Sequence, residues 1–279
     1  MNDKKNAVVF GLTADHVFAV ACVMMDLKRL SPRLADDVVI IHDGIAEKDK
    51  ELLSSILPVR FVEYDFPLNE SDRVLTSSAV KQFTKMVFTK FECLKLLGEY
   101  KNVVWLDYDI VIQKNLDDLL APSKVGVKMM PTGVKVREQL YSDVQEYNMS
   151  AEGMSAGTFV FQDNLKDFYE MYKFCYKKLD EYAELLYLPE QAIFDFMLQE
   201  FSVEVEPMDR RVFAPHPTDS IYAKDAKIIH AYGQPKFWNG LRNEQWEDNY
   251  AAWVGMGGSP YLGPNIFQKI KQKIKSFIQ

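Results

Sequence analysis

Lys101-Asn-Val-Val-Trp-Leu-Asp-Tyr-Asp-Ile-Val-Ile-Gln-Lys-Asn-Leu-Asp-Asp-Leu-Leu120 is the stretch on which the reading of the whole chain turns. Val103 to Leu106 is a short apolar run, partly β-branched, with the character of a buried strand. It ends in Asp107-Tyr-Asp109, and Ile110, Val111 and Ile112 resume the apolar pattern at once. Two carboxylates one residue apart at the end of a buried strand are unfavourable unless a positive group sits between them. In an open α/β sheet that end of the strand is also where the ligand crevice lies. A divalent cation held by oxygen ligands and shared with a substrate phosphate meets both conditions. The bland alternative is a strand running into a polar turn, where Asp is common.

Working outward, the 279 residues suffice for one large α/β domain or two small ones. Hydrophobic residues make up 48% and charged residues 26%, as in ordinary globular proteins. With 33 basic and 40 acidic residues the net charge is −7, which argues against a nucleic-acid partner. Cys22, Cys93 and Cys175 are far apart in apolar company. They contain no C-x-x-C pair, and an odd count gives no disulfide framework. They read as buried thiols of a reducing compartment. The first apolar stretch is interrupted by Thr13, Asp15 and His16, which excludes a signal peptide, and no window has the length of a membrane span without charge. A cytoplasmic location is expected.

Ala7–Leu12 reads as a first strand and Thr13-Ala-Asp15 as the loop after it, with Asp15 as cap of a helix from about His16 to Leu30. Val38–His42 is a second strand, Glu47–Leu57 a helix ended by Pro58, and Val59–Glu63 a third strand. This order starts a parallel sheet with crossover helices. Ser71–Lys81 is polar and poorly patterned. Phe83–Leu97 has helical spacing and stops at Gly98. After the Asp107–Asp109 strand come a short helix at Leu116–Leu120 and a strand at Val125–Met130. Pro131–Ser155 has little period and reads as a mobile, substrate-facing loop region with short helices. Gly157–Phe161 is strand-like. Helices follow at Leu165–Leu186 and at Glu190–Gln199, the latter with Pro189 at its start. Val203–Val205 and Lys227–His230 are short strands of a sheet that has become mixed. The end of the chain differs in character. Ile266, Phe267, Ile270, Ile274, Phe277 and Ile278 share a helical face, among Lys269, Lys271, Lys273 and Lys275 and no acid. The expectation is a domain over 1–263 and a basic amphipathic tail over 264–279 that attaches to an anionic membrane surface. The alternative for the tail is a terminal helix packed on the body.

Far from the aspartates stands Ile228-Ile-His-Ala-Tyr-Gly-Gln-Pro-Lys-Phe-Trp238. With Asp-x-Asp after an apolar strand and His-x-x-Gly-x-x-Lys-x-Trp near the C-terminus, the chain resembles glycosyltransferase family 8. That group contains glycogenin and the bacterial lipopolysaccharide galactosyl- and glucosyltransferases. His230, Gly233, Lys236 and Trp238 match the family pattern, while Phe237 replaces its proline. Phe88-Thr-Lys-Phe91, Ser155-Ala-Gly157, Glu190-Gln191 and Thr13-Ala-Asp15 match further segments in order. Ser155 stands where the family has asparagine, and Glu190 where it has aspartate.

The resemblance implies a Rossmann-like α/β domain of the GT-A type with a mixed central sheet. It also implies a retaining transfer of glucose or galactose from UDP-glucose or UDP-galactose to a saccharide or lipid-linked acceptor. Asp107, Asp109 and His230 would ligate the metal. Imidazole in the set favours a transition ion, and Mn²⁺ is the expected one. Lys236 is a second positive charge for the diphosphate, and Gly233 allows close backbone approach. Thr13, Ala14 and Asp15 face the uridine, and Lys90, Tyr108 and Ser155 are further donor contacts. Glu190 and Gln191 lie near the anomeric carbon. Attack from the leaving-group face, with the departing phosphate as base, needs no protein nucleophile. Asp163 and Asp195 read as structural, and Trp238 and Trp246 as core before sugar platform. Two rivals remain: a haloacid-dehalogenase-type phosphatase, for which a later acid cluster is missing, and a non-catalytic sugar-nucleotide-binding protein on the same fold.

Overall fold

The computed structural model describes residues 5–263. The tail expected over 264–279 lies outside the described residues. In chain order the first elements are β1 (Asn6–Leu12), α1 (Val17–Leu30), β2 (Asp37–His42), α2 (Glu47–Ile56) and β3 (Val59–Glu63). Next come α3 (Asp72–Leu75), α4 (Ser78–Phe83), α5 (Glu92–Leu96), β4 (Asn102–Leu106) and β5 (Ile110–Ile112). The rest is β6 (Val127–Lys135), β7 (Glu152–Gln162), α6 (Phe168–Tyr182), α7 (Pro189–Glu200), β8 (Glu206–Pro207), α8 (Arg210–Phe213), β9 (Ile228–His230) and α9 (Glu244–Gly255).

A seven-stranded sheet runs in the order β3-β2-β1-β4-β7-β6-β8. The first four neighbours are parallel, β7 is antiparallel to both β4 and β6, and β8 is parallel to β6. The mixed α/β fold is the one expected. Along β1 the side chains alternate between two apolar clusters, Ala7 and Val9 in one and Val8, Phe10 and Leu12 in the other. Val103 and Trp105 of β4 face the first cluster, and Val104 and Leu106 the second. Both sheet faces are therefore covered, α1 and α9 packing in one layer and α5, α6 and α7 in the other. The chain leaves β1 toward β2 and returns on its other side as β4. The order reverses between β1 and β4, which puts a crevice at their carboxyl ends.

Val17 through Met24 of α1 are buried without a break. No side chain caps the N-terminus of this helix. Asp15 was expected there and instead lies in a single 3-10 turn (Ala14–His16), hydrogen-bonded to Thr13 and His16. A missing cap costs about 1 kcal/mol, whereas each fully buried large apolar side chain contributes about 1.5–3 kcal/mol. Packing holds this helix, not capping.

Four other expectations are corrected. Ser71–Lys81 is ordered as α3 and α4, whose N-termini Ser71 and Ser77 cap through their hydroxyls. The single helix over Phe83–Leu97 is broken at Thr84, which has φ +62°, into α4, a 3-10 segment at Lys85–Phe91, and α5. Phe88 and Phe91 account for the helical spacing, because the tighter winding still buries both. The loop expected over Pro131–Ser155 is shorter at both ends, since β6 runs on to Lys135 and β7 begins at Glu152, with a 3-10 turn at Val136–Gln139 and irregular chain between. Val203–Val205 is not a strand; the short pairing with β6 comes one residue later, at β8. Cys22, Cys93 and Cys175 are free and buried, as expected.

Candidate metal and nucleotide-sugar site

Asp107 follows β4 directly, and its amide donates to Gly157 O at 2.9 Å, continuing the β4–β7 pairing. Past Asp109, β5 pairs antiparallel with β9 in a separate two-stranded ribbon, with Ile110 opposite His230. The Ala231 amide donates to Asp109 O at 2.9 Å and the His230 amide to Pro215 O at 3.0 Å. This register carries the imidazole from the far end of the chain to the two carboxylates. Among the described residues, Asp107, Asp109 and His230 form a group whose ligand atoms all lie within 4.8 Å of one another.

The orientation of each acid is fixed by its other oxygen. Asp107 Oδ1 accepts from Trp105 Nε1 at 2.8 Å and lies 3.2 Å from Lys90 Nζ. Its Oδ2 lies 3.7 Å from His230 Nε2. Asp109 Oδ1 is 3.0 Å from His230 Nε2, and its Oδ2 pairs with Lys236 Nζ. Lys236 Nζ also donates to Ala231 O at 2.7 Å. Burial would raise the Asp109 carboxyl, but the His230 imidazole and then the Lys236 ammonium outweigh it and hold it well below the usual carboxylate range. Two carboxylate oxygens and one imidazole nitrogen, all turned inward and partly buried, fit a divalent ion of the transition series.

Lys90 joins this centre to the next. Its ammonium, 2.9 Å from Glu190 Oε1, stands between Glu190 and Asp107 and 5.5 Å from the centroid of the Trp105 ring. Burial alone would lower it, but the two carboxylates raise it above the ordinary lysine value and keep it charged. Glu190 and Gln191 sit in the first turn of α7. Gln191 Oε1 accepts from the Ala156 amide at 3.4 Å, and Ser155 Oγ from the Gly157 amide at 3.3 Å, so α7 and β7 meet at the site. The residues of the first loop lie at the end of β1. Asp43 Oδ1 accepts the Ala14 amide at 2.8 Å. A hydrogen bond from His16 outweighs burial and holds Asp15 at about 2. The His16 ring contacts Tyr108 at 5.3 Å and Trp238 at 5.7 Å, linking this loop to the aspartates and to the Lys236 segment. Burial, then the charges of Asp109 and Asp107, push the Tyr108 phenol up, so it stays protonated. Gly233 has φ +73°, a backbone region that favours glycine, and no heavy atom lies near the place of its missing side chain.

Trp246 is buried and stacks on Tyr250 at 5.1 Å, so it belongs to the core, while Trp238 is only half-buried. Two contributors were not read from the sequence as site residues. One is Trp105, the hydrogen-bond donor that aims Asp107. The other is Gly157, where a Cβ would stand 2.7 Å from His230 Cε1 and 3.2 Å from Asp107 Oδ2. The available signal was the glycine of Ser155-Ala-Gly157, whose third position admits no side chain.

Comparison with curated proteins gives no match. Among solved structures the chain is similar to the bifunctional glycosyltransferase WbbM, at 16% identity and TM-score 0.69, covering 92% of this chain and 52% of that one. The chain thus spans about half the length of WbbM. It is similar to the galactosyltransferase LgtC in complex with donor and acceptor sugar analogues, at 14% identity and TM-score 0.65, covering 90% and 99%. GlyE of Streptococcus pneumoniae TIGR4 aligns at 15% identity and TM-score 0.60, covering 93% and 65%. These likenesses show the GT-A type of fold. The sequence profile of Glycosyl transferase family 8 matches residues 7–242, which takes in the whole sheet, the Asp-x-Asp segment and the His230–Lys236 segment. The chain belongs to glycosyl transferase family 8.

Proposed function

We propose that the protein is a retaining hexosyltransferase that moves glucose or galactose from UDP to a saccharide or lipid-linked saccharide, with Mn²⁺ held by Asp107, Asp109 and His230. The observation that carries this reading is the convergence of those three side chains with Lys236 at the crevice between β1 and β4. The bound ion would stabilise the negative charge that grows on the diphosphate as the glycosidic bond breaks. Lys236 adds a second cation at the same place, and the exposed Gly233 lets the backbone come close to a phosphate. Thr13, Ala14 and Asp15, with the rings of His16, Tyr108 and Trp238, make the wall for uridine. Lys90 and Ser155 complete the donor contacts. Glu190 is held by Lys90 and Gln191 by the Ala156 amide, so both are fixed before a sugar arrives. LgtC has been solved as an active-site mutant in which a glutamine becomes glutamate, and in this chain Gln191 is the glutamine proposed to lie beside the sugar. Family membership displaces the phosphatase alternative. Metal-dependent hydrolysis of UDP-glucose or UDP-galactose without acceptor would separate a transferase from a non-catalytic binder.

The test is calorimetric titration of UDP with Mn²⁺ and then with EDTA, on the wild type and on Asp109→Asn. Binding is expected only with Mn²⁺, and the variant should lose roughly 100-fold or more in metal-dependent affinity and turnover while keeping its Tm. Unchanged Mn²⁺-dependent binding in Asp109→Asn would sink the assignment. The basic residues 264–279 are proposed to hold the enzyme on an anionic membrane, where a lipid-linked acceptor would be found. Among the described residues no helix is long and apolar enough to cross a membrane.

A further inference from the structure

Beside the metal triad stands a group of side chains that the donor reading does not use. Tyr232, two residues after His230, is 44% exposed. Its ring meets the His230 ring edge-on at 5.7 Å and the His216 ring at 5.0 Å. Arg210, at the start of α8, places its guanidinium 5.3 Å from the centroid of the same ring. One guanidinium nitrogen donates to Thr132 O, which ties Arg210 to the outer part of the β6–β7 ribbon. His216 turns Nδ1 to Thr218 Oγ1 at 2.7 Å, so its other nitrogen is the one left to a ligand.

Arg210 is distinctive in its company. Every other arginine of the chain pairs with a carboxylate, at 2.6–3.6 Å. Among the described residues Arg210 pairs with none, although the protein carries net charge −7 and its neighbour Arg211 has Asp209. A guanidinium has five donors in a fixed fork, and the Thr132 bond leaves most of them unused. Held over a tyrosine and tied by one bond to Thr132 O, the fork is placed for the paired oxygens of a carboxylate or phosphate.

We infer that Arg210, Tyr232 and His216 form an acceptor subsite for a saccharide bearing an oxyanion, carboxylate or phosphate, with Arg210 holding the anion and Tyr232 backing the sugar. The inference rests on the transferase reading, since Tyr232 is an acceptor contact only if the sugar is transferred beside His230. Arg210 is a binding residue here, outside the donor machinery.

The test titrates the full chain, with and without UDP and Mn²⁺ together, by calorimetry. The probes are glucuronic acid, glucose 6-phosphate and neutral glucose, against wild type, Arg210→Met and Arg210→Gln. Wild type should bind at least one anionic probe about 10-fold or more tightly than glucose. Either variant should bring that probe to the level of glucose, leaving glucose and UDP affinities unchanged. Which probe shows the effect tells carboxylate from phosphate. Equal affinities of wild type for all three probes would overturn the inference, as would a preference that survives both substitutions. Absence of UDP binding by wild type in the presence of Mn²⁺ would instead overturn the donor reading, and leaves the Arg210 comparison readable because it is also made without nucleotide.

Discussion

At Gly157 the functional group is the absent one. The imidazole of His230 occupies the space a Cβ would need, and the neighbouring Asp107 carboxylate is close behind it. Alanine there must push the ring off its place, a clash that costs about 1–3 kcal/mol when packed atoms cannot yield. Gly157→Ala is therefore expected to lower Mn²⁺ affinity and turnover by roughly 10–100-fold, as loss of a group that orients a ligand does. Tm should fall only modestly, and Mn²⁺ affinity equal to wild type by calorimetry would show that His230 has room to move. The same residue marks how far the site could be read without coordinates. Asp107 and Asp109 stand out as paired acids after an apolar strand, and His230, Gly233 and Lys236 through the segment that resembles family 8. Trp105 and Gly157 do not, because one acts by aiming a neighbour and the other by leaving space, and neither effect has a residue type peculiar to it. Asp15 shows the opposite error: an acid before a helix looks like a cap, but His16 and Thr13 compete for it.

Between elements, Asp195 does for α7 and β7 what Lys90 does for Glu190 and Asp107. It is buried, accepts the Met154 amide at 3.0 Å on Oδ1, and accepts Gln139 Nε2 at 2.7 Å on Oδ2. It thereby pins the strand that leads into Ser155–Gly157 to the helix that carries Glu190 and Gln191. Burial raises its carboxyl to about 7, against the pull of those two donors, from an ordinary 3.8. The native state thus keeps a proton that the unfolded chain has already released. This contribution to stability is complete below about pH 4 and is lost as pH rises through 7, on the order of 4 kcal/mol in all. Urea unfolding at pH 5 and pH 8 should show wild type losing stability over this window and Asp195→Asn losing several kcal/mol less; parallel losses would refute it. Elements were most legible where both faces are buried, as in β1 and β4. The inner parts of β6 and β7 were read as strands, and only their outer ends were missed, because these are more exposed and carry Pro131, Gly133 and Glu152 with no alternation to read. The helix α9 escaped for a related reason: Trp246 is buried, but charged and polar residues surround it in sequence.

For the whole molecule, an acidic body ends in a segment with four lysines and no acid, from 269 to 275. At about 1 kcal/mol per lysine near an anionic surface, deleting residues 265–279 should weaken binding to anionic vesicles on the order of 10²–10³-fold. Turnover on a dissolved acceptor should be spared, and sedimentation with vesicles unaffected by the deletion would refute the attachment. The ribbon of β5 and β9 has a consequence of another kind, in the timing of synthesis. Asp109 and Lys236 are partners across 127 residues, and His230 arrives hardly earlier. While a chain is still emerging from the ribosome, Asp107 and Asp109 can be made and placed after β4 long before His230 and Lys236 exist to meet Asp109, with Lys90 alone already beside Asp107. Asp109 then lacks its two cationic neighbours, and the three-residue group is acquired only once the segment from β9 to Lys236 has been made. Capture of the ion would accordingly report that β9 is in place, and a chain cut short before β9 would carry the acids without the imidazole.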